Sequence, residues 1–363
     1  MGHPTFRSRQ LFRWIHQRGQ FEPQAMSDLS QALRRELQEA GLRSPLVVEH
    51  VQRSSDGTRK LLLRLEDSNP VECVLIPMTD QEVMEQRREE GGEERKGAGD
   101  TAQQDTAQQR VTLCVSTQVG CAMGCVFCAS GKAGLKRGLG AAEIVSQVLI
   151  ARRYLHESER LRNLVFMGMG EPLHHYDETA RAVRLLTHPE GIGISPRKIT
   201  ISTVGLVPGI RKLGEDFGGK IGLAISLHAP DDSTRDRLLP INARYDVAQL
   251  MAALRAYPLP KRRRITIEYT LVAGVNDSVE HAKRLARLLG GLRCKVNLIP
   301  MNPIAGSPLG TSPPQAVEAF RQVLATQRVS CSVRKKRGDD VDAACGQLAF
   351  KQELVELRVT PRG

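Results

Sequence analysis

The chain has 363 residues, of which 40% are hydrophobic and 25% are charged, and its formal net charge is +12. This length and composition exclude a wholly disordered or fibrous chain and fit one large domain with a smaller one. The excess of Lys and Arg favours a polyanionic partner such as RNA or DNA. An aromatic content of 4% argues against a platform that stacks single-stranded bases.

No run of about 18 apolar residues is present, and the N-terminal stretch lacks the apolar core of a signal peptide. The 8 cysteines are unevenly clustered, which favours metal-binding or catalytic thiols in a reducing compartment over a disulfide framework. We therefore expect a cytoplasmic protein with no membrane contact.

Residues 1–78 are predicted to form a small α+β unit. Leucines at helical spacing in SDLSQALRRELQEAG predict a helix that ends at Gly41. The run LVVEHVQRSSDGTRKLLLRLED predicts two strands around an Asp56-Gly57 turn, and VECVLIP predicts a third strand.

Residues 82–109 differ in composition from the rest of the chain. They are rich in Glu, Gln, Arg and Gly and contain the tandem repeat DTAQQDTAQQ. Such a segment buries too little apolar area to order itself, and we predict a flexible low-complexity insertion.

Residues 110–303 alternate short β-rich runs with helical ones. The strand candidates are RVTLCVS, NLVFMG, KITIST, IGLAISL, RITIEYTLV and KVNLIP. Six βα units predict an α/β fold with a parallel sheet, either an open doubly wound sheet or a barrel. Residues 304–363 form a separate C-terminal segment.

The residues with chemical potential follow the predicted strands, where the loops of a parallel α/β fold converge on one face. They are Cys121, Cys125 and Cys128 after the first strand, Gly168, Gly170 and Glu171 after the second, Ser202 and Thr203 at the third, His228 at the fourth, and Asn302 after the sixth.

The three cysteines have the spacing C-x3-C-x2-C. A structural zinc site closes with four protein ligands, whereas a [4Fe-4S] cluster held by three cysteines keeps one iron open to another ligand. A zinc site completed by a distant cysteine or histidine is the alternative, although this spacing matches paired C-x2-C knuckles poorly.

The three-cysteine loop followed by a GEP segment resembles the radical S-adenosylmethionine (SAM) superfamily. The segments TLCVSTQVGCAMGCVFCASG, VFMGMGEPLHHYD, ITISTVGLVPGI, LAISLHAPDD, VNLIPMNP and RGDDVDAACGQL together resemble the dual-specificity RNA methyltransferases that methylate adenine C2. The resemblance covers nearly the whole chain except residues 82–109. It implies a partial (β/α)6 barrel with a small N-terminal accessory domain that binds RNA.

The resemblance also implies the cofactors. One [4Fe-4S] cluster would be bound by Cys121, Cys125 and Cys128, and two SAM molecules would be used per turnover. The open iron chelates SAM in that superfamily, and electron transfer from the cluster cleaves SAM to a 5′-deoxyadenosyl radical. A flavodoxin or ferredoxin is expected as the electron donor.

Three catalytic residues follow from the same resemblance. Cys345 in DAACGQL accepts the methyl group of a first SAM, and a methylene radical formed on it bonds to adenine C2. Cys114 forms a transient disulfide with the departing Cys345 sulfur. Glu72 in VECVLIP accepts the C2 proton; the alternative for this residue is a solvated strand carboxylate without a catalytic role.

The resemblance assigns SAM binding to Gly170, Glu171, Ser202, Ser226, Leu227, His228 and Asn302. Each of these residues alone is weak evidence for SAM binding. A histidine at a strand end, for example, is more often a core residue whose hydrogen bonds are satisfied. The remaining cysteines, Cys73, Cys294 and Cys331, lie in apolar runs and are predicted to be buried without chemistry.

The implied partners are 23S ribosomal RNA, at an adenosine of the peptidyl-transferase centre, and tRNA, at the adenosine 3′ of the anticodon. Residues 1–78 would help to grip tRNA. We expect Lys335 and Lys336, in a basic run shortly before Cys345, to contact the RNA backbone. A monomer is expected.

Two alternatives remain at this point. An adenine-C8 methyltransferase of 23S rRNA, of the antibiotic-resistance type, shares the cluster loop and both catalytic cysteines. A non-catalytic iron-sulfur or zinc RNA-binding module would need neither Cys114 nor Cys345.

Overall fold

A computed structural model describes residues 3–90, 108–304, 307–334 and 337–348. In chain order, the strands β1 to β12 are Leu46–Arg53, Arg59–Leu65, Pro70–Pro77, Gln109–Cys114, Gln118–Gly120, Leu135–Gly138, Glu159–Phe166, Ile199–Thr203, Gly222–Ser226, Ile265–Leu271, Cys294–Pro300 and Cys331–Val333. The helices α1 to α11 are Thr5–Phe12, Gln31–Glu39, Asp80–Glu90, Ala129–Ala133, Ala141–Arg152, Tyr176–Thr187, Val207–Phe217, Asp232–Leu238, Val247–Ala256, Val279–Leu288 and Pro314–Thr326.

A parallel sheet forms the centre of the molecule. Strands β4, β7, β8, β9, β10, β11 and β12 pair in that order, all parallel. In β8, Ile199 and Ile201 lie in the apolar core, whereas Ser202 lines the central cavity, as the two-residue period of a strand requires. The predicted partial (β/α)6 barrel is confirmed, and β12 adds a further parallel strand at its edge.

The three strands of the N-terminal unit belong to the same sheet. β1, β2 and β3 are antiparallel, and β3 pairs antiparallel with β4, so that Val74 lies opposite Cys114. Helix α5 is apolar around most of its circumference and packs against these strands and against α6. A boundary at residue 78 would cut through this sheet. The division into an N-terminal RNA-binding domain and a barrel therefore stays a prediction.

The N-terminal helices have a small apolar cluster of their own. Trp14, Met26, Leu29, Leu33 and Leu37 are buried together. On the barrel side, Arg152 Nη1 donates a hydrogen bond to the carbonyl of Gln17 at 3.2 Å, and Arg153 donates to the carbonyl of Gly19. This basic pair therefore joins the helical layer to the barrel.

Two local elements differ from the sequence prediction. Helix α3 occupies the first part of the segment for which composition predicted no order. It begins with a reciprocal cap, in which Glu82 Oε2 accepts from the Thr79 amide at 2.7 Å and Thr79 Oγ1 accepts from the Glu82 amide at 3.3 Å. The short antiparallel pair β5 and β6 next to the cysteine loop was also not predicted. Residues 91–107 lie outside the described part of the chain.

Within the described ranges, no helix is both long enough and apolar enough to cross a membrane.

Candidate active site

A cavity with an empty volume of about 920 Å³, including its mouth, lies at the carboxyl ends of the parallel strands. Its lining includes the predicted site residues Cys121, Cys125, Cys128, Gly170, Glu171, Ser202, Ser226, His228, Asn302 and Cys345. The structure therefore brings together loops from five strands and the C-terminal segment.

The three cluster cysteines lie on one compact loop. The amide of Cys128 donates to the carbonyl of Cys125 at 3.2 Å, and a Cβ on Gly131 would lie 2.9 Å from the backbone N and O of Cys125. Burial raises the pKa of Cys121 to about 12 and also raises that of Cys125, so both thiols hold their protons until a metal displaces them. Soft thiols facing one cavity suit an iron-sulfur cluster. Among the described residues, no group of three or more His, Cys, Asp or Glu side chains is placed so that it could hold a metal ion.

Gly170 and Glu171 form the wall beside this loop. Gly170 has a φ of +104°, and a Cβ there would lie 2.6 Å from the Gln118 Cβ, so only glycine fits. Glu171 is buried, and its carboxylate accepts from the amides of Leu173 at 3.0 Å and Val204 at 2.9 Å. Burial raises its pKa to about 7 despite these hydrogen bonds. A cationic ligand would restore the charged form.

His228 is held in one orientation. It has a φ of 56°, which is uncommon for a residue other than glycine, and its Nδ1 accepts from the Thr270 amide at 2.9 Å. This hydrogen bond assigns the remaining proton to Nε2. Burial, aided by the charge of Arg235, lowers the pKa of His228 to about 3. The imidazole is therefore neutral and can donate one hydrogen bond to a ligand.

Arg235, which the sequence did not single out, supports two of the strand-end loops from behind. Its fully buried guanidinium donates to the carbonyls of Val204 at 2.5 Å and Leu227 at 3.2 Å, and to Asn242 Oδ1 at 2.7 Å. Leu227, which was predicted to bind SAM, is not among the residues that line the cavity, and its side chain lies in the apolar core. The loop after β8, which Arg235 binds at the Val204 carbonyl, also supplies the Val204 amide that donates to Glu171.

The segment 337–348, here called the carrier segment, closes the cavity from the C-terminal side. Cys345 lines the same cavity as the cysteine loop and lies beside that loop. Asn302 Nδ2 donates to the carbonyl of Cys345 at 3.1 Å, and the amide of Ala129 donates to the carbonyl of Gly346 at 2.8 Å. Asn302, expected as a SAM ligand, thus also holds the carrier segment.

Cys114 ends β4 behind the cavity wall. It is buried in an apolar cluster with Val74, Met169, Ala343 and Leu348. Burial raises its pKa to about 12, the neighbouring Cys345 adds to this increase, and Arg334 opposes it. Both thiols are free. The disulfide expected between them is a transient one, and the structure does not contain it.

Glu72 lies on β3, away from the cavity lining. It is buried, and its Oε1 is 3.2 Å from Nζ of Lys60, which is also buried. The Lys60 ammonium in turn donates to the carbonyl of Asp342 in the carrier segment at 3.4 Å. The predicted base is therefore linked to the segment that carries Cys345 by one buried cation.

Arg334 and Glu268 also line the cavity, and the sequence did not assign either of them to it. Cys345 raises the pKa of Arg334 most; burial opposes this effect, and Glu268 adds to it. Asn297 Nδ2 donates to Glu268 Oε1 at 3.1 Å. Arg334 follows β12 directly, so the basic run begins inside the site. Lys335 and Lys336 lie outside the described residues.

Comparison with known proteins matches two family models. Residues 115–286 match the Radical SAM superfamily, and residues 1–41 match the ribosomal RNA large subunit methyltransferase N-terminal domain. Together with the barrel and the three-cysteine loop, these matches define a radical SAM enzyme, which carries a [4Fe-4S] cluster and uses SAM.

Curated relatives narrow the class. The chain is 56% identical to a dual-specificity RNA methyltransferase RlmN of Sorangium cellulosum, covering 96% of this chain and 91% of the relative, and 43% identical to one of Nitratiruptor sp., covering 96% and 94%. A crystal structure of a radical SAM methyltransferase from Sphaerobacter thermophilus superposes with a TM-score of 0.84 at 41% identity, covering 96% of this chain and 94% of that one. The chain belongs to the RlmN family of dual-specificity RNA methyltransferases.

Proposed function

We propose that this enzyme methylates C2 of adenosine in two RNAs, at the peptidyl-transferase centre of 23S rRNA and at the position 3′ of the tRNA anticodon. The observation that supports this most strongly is the position of Cys345, which lines the same cavity as Cys121, Cys125 and Cys128. A methyl carrier and a radical-generating site must share one cavity for this chemistry, and a non-catalytic RNA-binding module has no need for such an arrangement.

When bound, the cluster supplies the electron that cleaves SAM. Cys345 first accepts a methyl group as a thiolate: a sulfur–carbon bond forms on Cys345 and the sulfonium–methyl bond of SAM breaks. The 5′-deoxyadenosyl radical from a second SAM would take one hydrogen atom from this methyl group, and the carbon held on Cys345 then bonds to adenine C2. His228 and Glu171 orient SAM through its hydrogen-bonding groups and its ammonium.

Release of the product requires two further groups. Glu72 accepts the C2 proton, and its buried pairing with Lys60 supports the ionised form that a base needs. The unpaired electron left by the radical addition would return to the oxidised cluster. The Cys114 thiolate then forms a sulfur–sulfur bond with Cys345 as the Cys345 sulfur–carbon bond breaks, and the carbon takes up a proton and leaves with the RNA as a methyl group. The shared apolar cluster of Cys114 and the carrier segment supports this pairing.

The partners follow from charge and chemistry. The net charge of +12 favours RNA phosphates, and residues 1–78 are proposed to grip tRNA. A target adenine must leave its stack to enter the cavity. A flavodoxin or ferredoxin is proposed as the reductant, and the protein is proposed to act as a monomer in the cytoplasm, where its free thiols stay reduced.

Anaerobic reconstitution with SAM, a reductant and each RNA tests the proposal. We expect wild-type protein to form 2-methyladenosine, Cys345→Ala to form none, and Cys114→Ala to accumulate a covalent protein–RNA adduct. Cys294→Ala, outside the cavity lining, is the matched control and should retain activity. Product methylated at C8, or an active Cys345→Ala variant, would refute the proposal.

A further inference from the structure

The turn between β1 and β2, residues 54–58, contacts the carrier segment through a reciprocal pair of hydrogen bonds. Asp56 Oδ2 accepts from the amide of Gly338 at 3.1 Å, and Asp340 Oδ2 accepts from the amide of Ser55 at 3.1 Å. Each side thus supplies one carboxylate and one backbone amide. Two such bonds in opposite directions fix the relative orientation of two loops, whereas a single bond would not.

The contact is also close in a steric sense. Gly338 has a φ of +60°, and a Cβ there would lie 2.9 Å from Thr58 Cγ2 and 2.7 Å from the Ala343 Cβ. Burial raises the pKa of Asp56, but hydrogen bonds, first from Thr58 and also from Gly338, outweigh it and lower the pKa to about 2. Asp56 is therefore charged at neutral pH, and charge strengthens its bond to Gly338.

A second contact joins the N-terminal hairpin to the carrier segment nearer to Cys345. Lys60, at the start of β2, donates to the carbonyl of Asp342 at 3.4 Å while it pairs with Glu72. On the far side of Cys345, Ala129 binds the carbonyl of Gly346. The carrier segment is therefore attached to the N-terminal hairpin before Cys345 and to the cysteine loop after it.

We propose that the β1–β2 turn is a clasp that holds the carrier segment in place, with Asp56 as a positioning residue that keeps Cys345 facing the cavity. The inference rests on the proposed role of Cys345 as methyl carrier. Radical chemistry makes positioning important, because the carbon on Cys345 must be close first to SAM and then to the base. The N-terminal strands thus have a role in the reaction in addition to any role in RNA binding.

Hydrogen exchange in the cluster-loaded enzyme tests the clasp without reference to activity. Asp56→Ala and Asp340→Ala cut the contact from opposite sides. Each should speed amide exchange in peptides covering the carrier segment by about tenfold, which corresponds to the loss of one charge-assisted hydrogen bond. The matched control is Asp67→Ala in the β2–β3 turn, where Asp67 Oδ1 accepts from the Asn69 amide at 3.0 Å, as Asp56 Oδ1 does from Thr58 at 2.9 Å.

A second measurement separates positioning from folding. With RNA, SAM and reductant, the ratio of methylated RNA to SAM cleaved should fall about tenfold in Asp56→Ala and Asp340→Ala and stay unchanged in Asp67→Ala. Unchanged exchange in both clasp variants, or equal acceleration in Asp67→Ala, would overturn the clasp. Failure of Cys345→Ala to abolish methylation would instead overturn the proposed function and leave the exchange result intact.

Discussion

The buried neutral imidazole of His228 predicts a specific loss of stability in acid. Its pKa is about 3 in the folded protein, against an ordinary value of 6.5. Below pH 6.5 the unfolded chain binds a proton that the folded chain does not, so the free energy of unfolding falls as the pH decreases towards 3. One pH unit corresponds to about 1.4 kcal/mol. At pH 6.5 the unfolded histidine is already half protonated, so lowering the pH by two units from there should cost about 2 kcal/mol through this residue alone.

The perturbation is His228→Asn. Asparagine tolerates the positive φ of this position and can still accept the Thr270 amide hydrogen, but it does not titrate. Urea unfolding of cluster-free protein at pH 6.5 and about two units lower gives the change in stability for each variant. Because the other titrating groups are shared, wild type should lose about 2 kcal/mol more than the variant. His156→Asn, at an exposed position, is the control and should behave as wild type. Equal pH dependence in wild type and His228→Asn would refute the reasoning.

Arg235→Met removes the guanidinium that binds the Val204 carbonyl, and we expect a loss of about 3 kcal/mol or more in urea unfolding because buried acceptors lose their donors. Gly170→Ala places a Cβ against Gln118 and should abolish SAM binding in equilibrium dialysis. Gly274→Ala, with a φ of +68° and open space, should cost only about 1 kcal/mol in stability; equal effects would contradict the steric argument. Glu171→Gln removes the carboxylate offered to the SAM ammonium and should weaken SAM binding about tenfold or more, measured in the same way; unchanged affinity would exclude that contact.

The strands and the position of the cavity were predictable because their signals are local. Apolar runs such as NLVFMG and KITIST alternate with helical ones, and parallel strands place the following loops at one end. The role of Cys345 required the family resemblance, since no local pattern places a residue after β12 in a cavity formed by loops after β4 to β11.

The parts that could not be predicted depend on contacts between residues far apart in sequence. Lysine is usually a surface residue, yet Lys60 is buried between Glu72 and the carrier segment. Arg334 stands in a basic run that is typical of a solvated face, although it lines the cavity. Helix α3 had a local signal, the T-x-x-E cap at Thr79, which the surrounding polar composition concealed.

The carrier segment follows every strand of the sheet in the sequence, and this sets an order of assembly during translation. As the chain leaves the ribosome, all strands of the described sheet and the cysteine loop emerge before Cys345, the thiol that we propose accepts the methyl group. A prematurely terminated chain that ends before Cys345 would retain the residues proposed to bind SAM but would lack the proposed methyl carrier. Completion of biosynthesis thus determines when the active site becomes competent.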